Sequence, residues 1–411
     1  FFVSPTRQIW HCFGCSKGGD IFGFVKEIEG VEFGDALRIL ADRAGVELKK
    51  QDPKLKTERQ RLYEICELTA KFFEKQLKDS QAGIRAKKYL LGRGAKEESI
   101  KKWRLGYAPD TWQGLGDFLV GKGYKKEEII NAGLIIRKQG VSASQGALRA
   151  YDRFRSRIMF PIFDFNGQVI GFTGRIFEQE KKQQVEKTGK YINTPSTLLY
   201  NKSQIIYGLD KAKVAIRKKD CCLLVEGQMD VIMLTQAGFD NVVAVSGTAL
   251  TDFQLKILKR YSSNLLFAFD MDEGGDVATK QSINSALNYD FNIKVVVMPK
   301  DKDPADIISQ NPKTFEKLIK SAHSIMEFYF KTCFARFDKK TPLGRKEITK
   351  TLLPIIKRIS NKIEQSHWTQ ELGKRLGVKE ESIDEELKKV KIGDSEKIED
   401  KKIVSVPKTR K

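Results

Sequence analysis

No apolar run in this chain approaches the ~20 residues that cross a bilayer, and no signal or lipidation pattern is present, which argues against a membrane as its partner. No Gly-x-x-x-x-Gly-Lys-Ser/Thr phosphate loop occurs, so nothing points to an ATP motor, and no segment repeats. Cysteine is sparse. Six in 411 residues form no disulfide framework, and only Cys12 and Cys15 have a spacing that implies chemistry, so a reducing cytoplasm is the expected setting. Acidic charge is also short: 53 Asp plus Glu face 74 Lys plus Arg, and the formal charge of +21 calls for a polyanionic partner. Nucleic acid fits that charge best.

What is present suggests roughly three domains at ~150 residues each, with 40% hydrophobic residues to build cores. Residues 1–48 read as a compact unit, with a β-like run Thr6-Arg-Gln-Ile-Trp10, a Cys turn and two short amphipathic helices. Asp20 is the expected first N-cap and Gly45 the last C-cap. The opening Phe1-Phe2-Val3 lies inside an apolar run, which reads as a chain cut at its N-terminus. Residues 49–57 have the polarity and the proline of a linker. A basic subdomain over 58–215 is expected to be helical to about 130, with basic residues such as Arg85, Lys87, Lys88 and Arg93 on the outer faces. Strands follow at Ile158–Phe163 and Gln168–Phe172, joined by an Asn166-Gly167 turn, and Glu178 to Gly189 reads as a surface loop.

Residues 216–311 alternate continuous apolar runs, Cys221–Val225, Asn241–Val245, Asn264–Phe269 and Ile293–Met298, with helical stretches. That alternation predicts a parallel α/β sheet. Residues 312–390 read as helical and 391–411 as a disordered tail. In such a sheet ligands bind beyond the carboxyl ends of the strands, and three of these strands run into acids: Glu226 with Asp230, Asp270 with Asp272, and Asp303 with Asp306. Carboxylates converging from separate strands repel one another unless divalent cations lie between them, and oxygen ligation selects hard ions such as Mg²⁺. Asp270 and Asp272 would flank one ion, and Glu226 would hold an ion or act as a general base. Asp230 also suits the first turn of the following helix.

The order Glu226-Gly227, Asp270-x-Asp272 and Asp303 resembles the TOPRIM domain, the metal-binding α/β module of DnaG-type primases, some topoisomerases and certain nucleases. Asp230 matches the primase form Glu-Gly-x-Met-Asp. The family often carries Tyr where Gln228 stands, and Asp-Pro-Asp where this chain has Asp303-Pro304-Ala305, which brings Asp306 in as a substitute. Upstream, Arg153-Phe-Arg-Ser-Arg-Ile-Met-Phe-Pro-Ile162, Gly171-Phe-Thr-Gly-Arg175, Lys190-Tyr-Ile-Asn-Thr-Pro-Ser-Thr197 and Asn201-Lys202-Ser203 resemble the primase basic core. The resemblance implies that Arg153, Arg155, Arg157, Arg175, Lys190, Tyr191, Asn193 and Lys202 face nucleotide phosphates and the template, for which Arg, Lys and Tyr have the right chemistry.

Trp10-His-Cys-Phe-Gly-Cys-Ser-Lys-Gly-Gly-Asp20 is similar to the second half of the primase zinc-binding domain. Cys12 and Cys15 then supply two of four zinc ligands, the family's other Cys and His lying before residue 1, and His11 falls on a non-ligand position. The implied fold is α/β and multidomain. A TOPRIM parallel sheet is flanked by a mixed α+β basic subdomain and a C-terminal helical subdomain, with a partial zinc-ribbon-like fragment in front.

The implied activity is that of a DNA primase, a DNA-directed RNA polymerase using Mg²⁺ (or Mn²⁺) to join ribonucleoside triphosphates into a short RNA primer on single-stranded DNA. The replicative helicase is the family's partner, and its C-terminal binding domain is expected to be incomplete here. The rivals are the primase half of a phage-type primase–helicase, a TOPRIM topoisomerase or nuclease, and a non-catalytic single-strand-binding module. A topoisomerase would need a nucleophilic Tyr on a large further domain, for which neither the length nor the pattern before residue 220 provides.

Overall fold

A computed structural model describes residues 1–14, 16–29, 33–46, 58–137, 150–176, 189–245, 249–269, 277–299 and 302–390. The linker, the loop expected at 178–189 (but for Gly189) and the tail therefore lie outside the described residues.

At the N-terminus a three-stranded antiparallel sheet, β1 (Phe2–Ser4), β2 (Ile9–His11) and β3 (Gly18–Gly19), precedes helices Ile21–Glu29 and Phe33–Ala44. The strand expected from Thr6 begins only at Ile9, because residues 5–8 turn the chain and Gln8 takes φ +54°. Asp20 caps the first helix, its Oδ1 accepting the Gly23 N–H at 2.7 Å. Gly45 ends the second in the left-handed region at φ +65°, letting the Val46 N–H reach the Ala41 carbonyl at 2.9 Å.

Helices Glu58–Asp79, Gln81–Gly92 and Glu97–Lys102 follow, and here the expected helical run is interrupted by β4 (Gly106–Ala108). Three residues are too few for a period to register. The strand forms because β7 (Arg157–Phe163) offers its edge, pairing Tyr107 with Ile158. Helices Gly114–Gly121 and Lys126–Asn131 lead to β5 (Ile135–Arg137), which pairs with β6 (Ala150–Asp152). β7 and β8 (Val169–Ile176) form the expected hairpin, turned by Gly167 at φ +78° while Asp164 Oδ1 accepts the N–H groups of Asn166 and Gln168 at 2.9 Å each. β9 (Tyr191–Asn193) pairs with the far edge of β8.

After helix Leu209–Lys219 the chain builds the parallel sheet: β10 (Cys222–Val225), β11 (Val242–Ala244), β12 (Asn264–Phe267) and β13 (Asn292–Val295), in the order β11-β10-β12-β13. β14 (His323–Ser324) adds an antiparallel edge inside the segment expected to be wholly helical. β10, β11 and most of β12 are apolar because both faces are covered, whereas β13 alternates, with Asn292 and Lys294 exposed and Ile293 and Val295 buried. Cys222, Leu224, Leu265 and Phe267 pack with Ile348 and Leu352 of the C-terminal helix Pro342–Arg358. Leu223, Val225, Leu266 and Ala268 pack instead with Trp103 and Tyr107 of the basic region. Each of these Leu, Val, Ile and Phe side chains contributes about 1.5–3 kcal/mol when fully buried, so the sheet is the joint between the two flanking units. β10 is reached before β11 on one side and β12 on the other, so the strand order reverses beside β10, and the crevice opens beyond Val225. Among the described residues no helix is long and apolar enough to cross a membrane.

Candidate active site

β10 delivers Glu226 to that crevice, where it is exposed, and Gly227 starts the helix Gln228–Gln236. Asp230 lies in the first turn, as its spacing predicts. It also does something the spacing does not reveal: Oδ2 accepts the Gly227 N–H at 3.1 Å and Oδ1 the Ala305 N–H at 3.2 Å. One buried carboxyl thus ties the loop after β10 to the start of helix Pro304–Gln310. Burial, with the charges of Asp303 and Glu226 beside it, pushes Asp230 up to about 7. Asp303 caps that helix, accepting the Asp306 N–H at 2.7 Å, and its own carboxyl is raised by burial. Arg93 approaches both acids, its Nη2 lying 3.5 Å from Asp306 and 3.9 Å from Asp303. Asp270 and Asp272 lie outside the described residues, which reach Phe269 directly before them.

The opposite wall is β8 with β9. Thr173 pairs with Asn193 and Arg175 with Tyr191, so the side chains of one register line one face. Gln228, buried where the family often has Tyr, joins the walls by donating to Thr173 Oγ1 at 3.4 Å, and Thr173 donates to Asn193 Oδ1 at 2.7 Å. Arg175 donates to the Tyr89 hydroxyl at 2.5 Å and lies 5.3 Å over the Tyr89 ring and 5.9 Å from that of Tyr191. Its Nε is buried without a hydrogen-bond partner among the described residues. Burial raises the Tyr191 hydroxyl, and its charged neighbours are Arg175, Asp230 and Arg93. Arg175, Tyr191 and Asn193 therefore share one cleft with Asp230 and Asp303.

The other basic residues divide. Arg157 is 3% exposed and turned inward, donating to the carbonyls of Gly174 at 3.1 Å, Lys190 at 3.2 Å and Gly189 at 3.1 Å. Burial, with Arg155 nearby, lowers it to about 10. Its visible bonds order the backbone rather than present charge to a phosphate. Arg153 donates to the Gly133 carbonyl at 2.6 Å. The Arg155 guanidinium lies 4.0 Å over Trp112 and 5.4 Å from Tyr151. Lys190 is exposed. Lys202 is half-buried on a loop whose backbone is held by Gln254, donating to the Ile205 carbonyl at 2.7 Å, and by Thr251, donating to that of Ser203 at 2.5 Å.

Sequence reasoning missed Tyr89, Trp112 and Tyr151 and took Arg93 for an outer helix face. Trp112 had a legible signal, a large aromatic within the polar run Pro109-Asp-Thr-Trp-Gln113. It is 64% exposed. At the N-terminus the half-buried Cys12 donates its N–H to the Lys17 carbonyl at 2.7 Å, while Cys15 lies outside the described residues. The exposed His11 ring packs against Phe13 at 4.9 Å. Among the described residues no three His, Cys, Asp or Glu side chains group closely enough to hold an ion.

Four family models match the chain: the CHC2 zinc finger over residues 1–56, the DNA primase catalytic core N-terminal domain over 72–213, a Toprim-like model over 223–308, and the DnaB-helicase binding domain of primase over 326–381. The last overlaps helices Ile325–Arg336, Pro342–Arg358 and Lys362–Leu376. A DNA primase of Clostridium acetobutylicum is 35% identical over 388 residues, covering 93% of this chain and 62% of that protein. The chain spans about three fifths of the length of the curated relatives it matches. The zinc binding and RNA polymerase domains of the Aquifex aeolicus primase superpose with a TM-score of 0.68 at 29% identity, covering 94% of this chain and 89% of that one. A DnaG primase catalytic domain bound to single-stranded DNA superposes with a TM-score of 0.67 at 29% identity, covering 79% and 99%.

Proposed function

From the premise that the chain belongs to the bacterial DnaG-type primase family, we propose that it synthesises short RNA primers on single-stranded DNA for replication in the bacterial cytoplasm. The observation that carries this reading is the cleft itself, with Arg175, Tyr191 and Asn193 on one wall and Asp230, Asp303 and Glu226 on the other. The reaction is attack of a ribonucleotide 3′-hydroxyl on the α-phosphate of the incoming triphosphate. A P–O bond forms, the bond to the β-phosphate breaks, the hydroxyl proton is lost and pyrophosphate leaves.

Exposed Glu226 stands with Asp303 beside Asp230, whose carboxyl is pushed up to about 7 by burial and by those two neighbours, and an all-oxygen donor set of this kind suits a divalent cation. Glu226, Asp270 and Asp272 would hold Mg²⁺ or Mn²⁺, with Asp303 and Asp306 alongside. Such an ion lowers the pKa of the attacking hydroxyl and neutralises charge on the leaving oxygens. Asp230 keeps the two acidic loops in register. Arg175, Lys190, Tyr191, Asn193 and Lys202 hold the triphosphate and the adjacent template. Arg157 orders the Gly189–Lys190 backbone from beneath.

Arg153 and Arg155 bind the template backbone, and Trp112 and Tyr151 beside Arg155 give its bases a stacking face. Cys12 and Cys15 contribute two thiolates to a structural zinc. Residues 326–381 form the helicase-facing surface. Incubation with single-stranded DNA, Mg²⁺ and labelled ribonucleotides tests the whole reading, with RNA oligomers of primer length as the expected product. Binding without synthesis would return the single-strand-binding module, and cleaved DNA the nuclease.

A further inference from the structure

The Arg93 pair with Asp303 and Asp306 spans two units of the fold, and it has a mount. Gln236, the last residue of the helix that begins after Gly227, accepts the Lys96 N–H at 2.7 Å and the Ser99 hydroxyl at 2.8 Å through Oε1. Its Nε2 donates to the Gly94 carbonyl at 2.9 Å. One amide therefore clamps the turn directly after Arg93. The fit is close: Gly94 takes φ +88°, and a Cβ there would lie 2.9 Å from Met233 Cε on the same helix. Arg93 and its two partners are each about 40% exposed, and an ion pair so placed contributes little when both side chains must be ordered to make it. The clamp removes part of that cost by fixing the backbone from which the guanidinium reaches.

We infer that Gln236 is a positioning residue that holds Arg93 on Asp303 and Asp306, where the guanidinium offsets the charge of the third acidic loop and sets how tightly the cleft takes up a divalent ion. This rests on the reading of the acids as ion-holding. A fixed cation beside a cation site lowers its affinity, and it also keeps the loop in place when no ion is bound. The third acidic loop is thereby partly served by an arginine from the basic region, so its acids need not recruit an ion of their own.

The test is Mn²⁺ affinity of the whole chain, followed by electron paramagnetic resonance and by calorimetry, in wild type, Arg93→Ala, Gln236→Ala and the double variant. Arg93→Ala should bind Mn²⁺ at least about fivefold more tightly, the lower end of ordinary coupling between sites. Gln236→Ala should shift affinity the same way by less, and the double variant should match Arg93→Ala alone, because Gln236 acts through Arg93. Unchanged affinity in Arg93→Ala overturns the inference, and additive effects in the double variant overturn the role of Gln236. Arg93 is partly exposed, so its variant folds even where loss of Gln236 harms the turn. If the wild type binds Mn²⁺ and primes, either negative result leaves the proposed function standing. A wild type that does neither removes both.

Discussion

The carboxyl of Asp230 accepts the backbone N–H of Ala305 at 3.2 Å, across 75 residues of chain. That bond, with the one to Gly227, makes a side chain that reads from sequence as a first-turn acid into the tie between two acidic loops. The acids of this cleft therefore differ in what they carry. Glu226 is exposed, whereas Asp230 is 7% exposed and accepts two backbone N–H groups.

Substitution should separate these roles. Glu226→Gln or Asp270→Ala should cut primer synthesis by at least about 100-fold, as loss of a group that stabilises transition-state charge does, with melting temperature in metal-free buffer and DNA affinity nearly intact. Asp230→Ala leaves two N–H groups unsatisfied at about 1–3 kcal/mol each, so it should lower the melting temperature as well as the activity. Thermal melts beside priming assays check both. A large loss of melting temperature in Glu226→Gln would mean that this acid is structural.

The inward orientation of Arg157 predicts a stability effect. Arg157→Ala removes the donor from three carbonyls, of which that of Gly174 is buried and that of Lys190 keeps the Ile176 N–H, and at about 1–3 kcal/mol for a hydrogen bond to a charged group the melting temperature should fall by several degrees. A variant with unchanged melting temperature and a raised KM for ribonucleotides would instead make Arg157 a phosphate ligand.

Asp152 gives a pH dependence away from the acidic cleft. It is 2% exposed and accepts the N–H groups of Leu115 at 2.8 Å and Gly116 at 2.9 Å, and burial pushes it up from 3.8 to about 6. The folded state holds the proton more tightly than the unfolded chain, so this contribution is fully present below about pH 4 and is lost as pH rises through about 6. Relative to Asp152→Asn, which has no such proton, the wild type should gain melting temperature as pH falls from 7 to 4. The opposite slope would mean that the two N–H bonds outweigh burial.

The sheet was legible because β10, β11 and β12 are buried on both faces and call for near-continuous apolar runs, while β13 shows the alternation of a strand with one covered face. The Asn166-Gly167 turn was legible because few residue pairs accept its backbone angles. β4 was not: its three residues are a strand only because β7 is beside them. The basic core was legible as an ordered set, but not the direction each side chain takes. Arg157 and Arg175 have the same charge on paired strands, yet one bonds carbonyls while the other lies between two tyrosines. Arg93 read as an outer helix face because its partners lie more than two hundred residues along the chain.

The platform of Trp112, Tyr151 and Arg155 and the lysines of the basic core make separable contributions to DNA binding. Base stacking on an aromatic side chain is worth about 1–3 kcal/mol per base and depends little on salt, so Trp112→Ala should weaken single-stranded DNA affinity by about fivefold or more at an unchanged salt slope. A lysine that meets a phosphate releases a counterion, and log K falls by about 0.7 per such contact for each decade of salt. Lys190→Ala or Lys202→Ala should then flatten the slope by about one contact where the lysine meets template. Where it meets the triphosphate, the slope should stay and the KM for ribonucleotides should rise. Fluorescence anisotropy at several salt concentrations, beside priming kinetics, reads all three variants. If Trp112→Ala flattens the slope as a lysine does, the ring is only holding Arg155 toward a phosphate and no base stacks on it.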